Sequence, residues 1–149
     1  MRDDVTLAAP GSSDERVCAA LDLVGAGTWV SALPEGLDTS IGTGGHALTA
    51  VQVQQLALAR LALRNPPVVV LDEATAEAGS SGARDLLDAS QALLAGRTAV
   101  VVAHRLDQAA ACDRIAVMSG GRIVELGTHD ELVGRGGGCA DLWHASSRH

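Results

Sequence analysis

Apolar positions along the chain fall into blocks whose spacing switches between helical and strand periods. Residues 1–11 hold no sustained period and close on Pro10-Gly11, which predicts an extended or looped entry. Ser12 or Ser13 then stands where a helix N-cap belongs, with Asp14 and Glu15 in the first turn, where the helix dipole favours anions. Val17, Leu21 and Val24 repeat at helical spacing, and Gly25 or Gly27 ends the run. A short helical piece holding Trp29 and Leu33 precedes Pro34-Glu35-Gly36, and residues 37–45 are rich in turn formers. Thr49-Ala50-Val51-Gln52 fits a capping box, with Leu48 and Val53 placed as its hydrophobic staple. The helix it opens must end before Asn65-Pro66-Pro67.

Val68–Leu71 is an unbroken run of β-formers that suits a strand buried on both faces of a parallel sheet. A helix over roughly residues 81–95, closed by Gly96, and a second strand at Thr98–Val102 follow. His104 lies about 30 residues after Asp72, the length of one βαβ unit. In a parallel pair both strands end at the sheet edge where open α/β sheets bind ligands, so Asp72, Glu73 and His104 are drawn to a common edge. Further on, the pattern predicts a short helix at residues 107–112 and a hairpin, residues 114–118 and 122–126, turning on Ser119-Gly120-Gly121. A second capping box at Thr128–Glu131, a glycine-rich link and a last helix around residues 141–146 complete it. The organisation reads as a helical part over 1–65, a strand-bearing part over 66–133 and a link with a terminal helix over 134–149.

Composition narrows the chemistry. The 149 residues, 47% hydrophobic and 19% charged, suit one globular domain. A net charge of −7 argues against a nucleic-acid-binding face, and two tryptophans without Phe or Tyr cannot build base-stacking platforms. Three distant cysteines give neither a disulfide scaffold nor a zinc site. No apolar run is long enough for a membrane span and the acidic start is unlike a signal peptide, so a cytoplasmic location is expected. All 11 basic residues are arginine.

Five segments, in order, resemble the ATP-binding cassette (ABC) ATPases of exporter type. Leu33–Thr39 with Gly42 and Gly44-Gly45 resembles the segment before the family signature. Leu48-Thr49-Ala50-Val51-Gln52 resembles the LSGGQ signature, and Ala57-Leu58-Ala59-Arg60 its helix. Val68–Leu71 with Asp72-Glu73-Ala74-Thr75 resembles the Walker B strand and its glutamate, and Val100–Ala103 with His104 the switch-histidine segment. Gly121-Arg122, Val124-Glu125, Gly127–His129 and Glu131-Leu132 resemble the exporter tail. Singly each is weak, since an acidic pair after a strand is commonly a solvated strand end and a Thr cap only a cap. Five in order are specific. His46, His144 and His149, and the Gly136–Gly138 run, are left without a chemical role.

The resemblance implies an α/β, P-loop NTPase-like ABC ATPase domain, incomplete, with a helical signature subdomain and the C-terminal part of the parallel-sheet core. It implies catalytic roles for Glu73 and His104, hydrated magnesium on Asp72, and ATP phosphate contact in trans from Thr49, Ala50, Val51 and Gln52. Ala76, Glu77, Ala78 and Gly79 fall at the D-loop. ATP with magnesium, a transmembrane domain and a second nucleotide-binding domain are the implied cofactors and partners, with no nucleic acid. The location it implies is the cytoplasmic face of the membrane.

Departures matter as much. No lysine exists to complete G-x-x-x-x-G-K-[ST], and Arg2–Leu7 resembles the segment just after the family's Q-loop, so the chain alone is expected to bind no ATP. Ala50 and Val51 replace two signature glycines, adding bulk and, at Val51, excluding most positive-φ conformations. Gly79 replaces the D-loop aspartate, and Thr43 a glutamate in the preceding loop. Kept hydrolytic residues beside an altered signature imply one half of a heterodimer with one competent and one degenerate site. Two other readings compete: a non-catalytic module docking on other cassette subunits, and a DNA-repair or condensation ATPase. The exporter-like segments and the charge disfavour the latter. With strands left uncovered, marginal folding or self-association is expected.

Overall fold

The computed structural model describes residues 1–72, 80–103 and 105–146. They cluster into two compact units, Met1–Val100 and Val101–His149.

The first unit begins with a difference from the sequence reading. Arg2–Thr6 is a helix (α1), not an extended entry. Five residues show too little periodicity to be detected, and tertiary contacts hold them. Val5 is fully buried, and Asp4 carries an ion pair and a carbonyl acceptor for Arg60. Helix α2 (Asp14–Leu23) starts at the expected N-cap, Ser13, although its hydroxyl makes no capping bond. It ends in a Schellman motif: Ala26 N–H donates to Leu21 O (2.8 Å) and Gly25 N–H to Asp22 O (3.0 Å), with Gly25 at φ +70°. Helix α3 (Gly27–Ser31) carries Trp29, and a 3₁₀ turn covers Gly36–Asp38.

Helix α4 (Ala50–Arg64) buries Leu56, Leu58, Ala59 and Leu63 and packs on α1 and α2. Asn65 closes it in the left-handed region (φ 50°), and the prolines beyond forbid continuation. Strand β1 (Val68–Asp72), helix α5 (Ser80–Leu94) and strand β2 (Thr98–Val102) follow, and β1 pairs with β2 in a small parallel sheet. α5 also packs on α4. The strands correct the expectation of burial on both faces. Val69 and Leu71 are buried, whereas Val68 and Val70 are 56% and 65% exposed and Val100 56%. An unbroken valine run satisfies either arrangement, so periodicity alone does not settle it.

In the second unit, helix α6 (Leu106–Ala110) precedes an antiparallel hairpin, β3 (Ile115–Ser119) with β4 (Arg122–Gly127). Gly120 and Gly121 both take positive φ, as a two-residue hairpin turn demands. Helix α7 (His129–Arg135) opens with the expected box, Thr128 with Glu131. The last helix, α8 (Gly138–Ser146), starts three residues before the expected Asp141. Its first N–H groups find a carboxylate: Glu125 on β4 accepts from Gly138 N (2.6 Å) and Cys139 N (3.3 Å). Gly138 therefore belongs to the helix rather than to a linker.

Candidate functional site

The best-defined candidate feature is the N-terminus of α4. The loop before it is built tightly: His46 N–H donates to Ser40 O (2.8 Å) and Gly42 N–H to His46 O (3.2 Å). A Cβ on Gly45 would fall inside contact distance of the Ser40 carbonyl, 2.6 Å from its carbon, so glycine is required there. This turn delivers Thr49 in extended geometry (φ −72°, ψ 162°), the conformation of an N-cap.

The capping box is complete. Gln52 N–H donates to Thr49 Oγ1 (3.2 Å), and Thr49 N–H donates to Gln52 Oε1 (2.9 Å). A helix start leaves its first N–H groups without intrahelical acceptors. The box satisfies those of Thr49 and Gln52, leaving those of Ala50 and Val51 without an intrahelical acceptor. The first turn of α4 carries no acidic residue, so nothing in that turn offsets the helix dipole. Ala50 is exposed and Val51 half-buried. Neither takes positive φ, since Asn65 is the only non-glycine with it among the described residues. The effect of replacing glycine here is therefore bulk, not backbone strain. Val53, the expected staple residue, is 52% exposed and shields the cap only partly.

Asp72 stands exposed at the end of β1. Glu73, His104 and the segment Ala76, Glu77, Ala78 and Gly79 lie outside the described residues. Just past His104, Arg105 stands at the N-cap position of α6 without a side-chain capping bond and pairs with Asp107 (Nη2–Oδ2 2.7 Å). The hydrogen bond from Arg105 holds the Asp107 carboxyl below the usual range. Among the described residues no three His, Cys, Asp or Glu side chains gather as a metal site. Magnesium at nucleotide sites keeps waters and takes one or two carboxylates plus phosphate oxygens, so a single exposed carboxylate at a strand end fits that donor set. The unneutralised first turn of α4 fits a phosphate.

No family model matches the sequence. Individual relatives do. The chain is 44% identical over 127 residues, 85% of its length, to an ATP-dependent lipid A-core flippase of Burkholderia orbicola. It is 38% identical over 137 residues, 92% of its length, to the cyclolysin secretion/processing ATP-binding protein CyaB of Bordetella pertussis. A solved bacterial Atm1-family ABC exporter with ATP bound matches 97% of the chain at TM-score 0.84 and 32% identity. The chain belongs with the ATP-binding proteins of ABC exporters. It spans about a fifth of the length of these curated relatives, 21% and 19%, and 25% of the solved exporter chain. Among the described residues no helix is long and apolar enough to cross a membrane.

Several contacts that organise this ABC exporter segment were invisible in its sequence. Gln55 is 5% exposed and bonded to the end of α2 and to Trp29 on α3. The Arg60–Asp4 pair joins residues far apart in sequence. Both are decided by partners 26 to 56 residues away in sequence, which no local pattern encodes.

Proposed function

We propose that this chain forms part of the ATP-hydrolysing machinery of an ABC exporter, with its signature turn and Walker B strand serving two different nucleotide sites. The observation that carries the reading is the α4 N-terminus: a complete capping box, two amides without intrahelical acceptors and no carboxylate in the first turn. Such a turn attracts a phosphate presented by a second nucleotide-binding domain. Thr49, Ala50, Val51 and Gln52 form this contact in trans. Asp72 would hold hydrated magnesium, Glu73 orient the attacking water or accept its proton, and His104 contact the terminal phosphate. Bound magnesium neutralises charge on the phosphate oxygens.

In this reading residues 1–65 are the helical subdomain, 66–133 the Walker B and switch-histidine part of the core, and 134–149 the link and terminal helix. Ala76, Glu77, Ala78 and Gly79 occupy the D-loop place. The phosphate-cradling lysine comes from residues other than these, because the chain contains only arginine as a basic residue. The partners are a transmembrane domain and a second nucleotide-binding domain, on the cytoplasmic face of the membrane. Val51 at a signature glycine position supports a heterodimer in which this chain's signature faces the degenerate site. A second subunit with an intact signature and an altered Walker B glutamate agrees with that; a homodimer rejects it.

The test is nucleotide binding by the purified chain, alone and mixed with an exporter half-domain bearing a P-loop. Binding that appears only in the mixture supports the reading. Equal binding by the chain alone, or none in a mixture shown to assemble, overturns it.

A further inference from the structure

Helix α4 meets its neighbours mainly through apolar side chains, which resist separation but give little directional control. Two of its polar side chains supply direction. Arg60, in the C-terminal half, donates to Asp4 O (2.9 Å) and pairs with the Asp4 carboxylate. Gln55, one turn from the capping box, is the other. Its Oε1 accepts from Trp29 Nε1 (2.9 Å), and its Nε2 donates to Val24 O (3.2 Å) and Gly25 O (3.2 Å). Both carbonyls lie at the Schellman end of α2, and Trp29 lies on α3. Gly25 is held at φ +70°, and a Cβ there would stand 3.5 Å from Gln55 Nε2.

We infer that Gln55 is a positioning residue for the signature turn: it fixes the rotation of α4 against the α2–α3 corner, and with it the orientation of the first turn that carries the Ala50 and Val51 amides. The inference rests on the functional reading above for what those amides meet. It does not rest on it for the mechanical claim. Both N–H bonds of the Gln55 amide are used, and its oxygen is engaged, so a small rotation of α4 breaks three bonds at once. An apolar side chain of similar volume would keep the packing and lose the angular constraint. Movement at the α2–α3 corner would then no longer be transmitted to the turn.

The test is hydrogen exchange on the full chain carrying Gln55→Met, which preserves volume and removes every polar atom, read together with its thermal midpoint. Exchange across residues 48–53 is expected to rise about tenfold, while residues 58–64 change less than twofold and the midpoint holds. Trp29→Phe, which removes only the indole donor, should give a smaller rise in the same segment. A uniform rise along α4 would show a merely structural role and overturn the inference; so would unchanged exchange at 48–53. If Gln55→Met destabilises the fold, Trp29→Phe decides alone by the same selectivity. Selective exchange without nucleotide binding in the mixture above would sink the functional reading and leave the positioning claim intact.

Discussion

Replacing Thr49 by alanine isolates the cap on which the first turn of α4 depends. The hydroxyl accepts from Gln52 N (3.2 Å), and Gln52 returns the bond to Thr49 N (2.9 Å). Losing an N-cap hydroxyl costs roughly 0.5–2 kcal/mol. Thr49 is exposed, so water can rehydrate the freed Gln52 amide, which puts the cost in the lower half, about 0.5–1 kcal/mol. In a unit of this size that lowers the thermal midpoint by a few degrees, roughly 2–6 °C. The assay is urea unfolding followed by Trp29 emission in a Trp143→Phe background, because Trp29 is bonded to α4 through Gln55. Thr49→Ser should retain most of the stability. The Thr49→Ala, Gln52→Ala cycle should show coupling of about 0.5 kcal/mol, since the two side chains form one reciprocal motif. Equal losses for Ser and Ala, or strict additivity in the cycle, would refute the reasoning.

Three further outcomes follow from the structure. Gly45→Ala forces a Cβ against the Ser40 carbonyl, whose backbone must move; a loss of about 1–3 kcal/mol is expected, read by the same unfolding assay, with wild-type stability counting against the loop geometry. Burial pushes the Cys139 and Cys112 thiols up from the ordinary range, and the charges of Glu125 and Asp113 add to it. A raised value leaves less thiolate at a given pH, so alkylation followed by mass spectrometry should modify exposed Cys18 first and buried Cys139 last, its rate climbing as pH rises. Val70→Lys places a charge on the exposed face of β1 and should reduce concentration-dependent self-association in sedimentation velocity. Association unchanged by Val70→Lys would place the contact elsewhere.

Local chemistry was the legible part of this sequence. Both capping boxes, the Asn65-Pro66 stop and the Gly120-Gly121 turn are decided by residues within four positions of one another, and each stands where the spacing predicts. Features decided across the chain were not legible. α1 exists because Val5 is buried and Asp4 meets Arg60, 56 residues away. α8 begins early because Glu125, 13 residues upstream, caps it. Burial of the Val68–Leu71 run depends on what lies over each face, which a run of like residues does not encode. At the candidate site the Thr49–Gln52 cap was readable from four consecutive residues. Gln55 was not, because its role is set by two backbone carbonyls of a distant helix end.

The central claim, that these residues supply the hydrolytic side chains of a motor whose phosphate cradle lies on other residues, is tested most directly by ATP turnover. The chain and its Glu73→Gln variant should each be assayed alone and with the P-loop-bearing half-domain. The account predicts turnover only in the wild-type mixture, with the variant mixture still binding ATP. Turnover by the chain alone at ordinary rates, or equal turnover by the variant mixture, would contradict it.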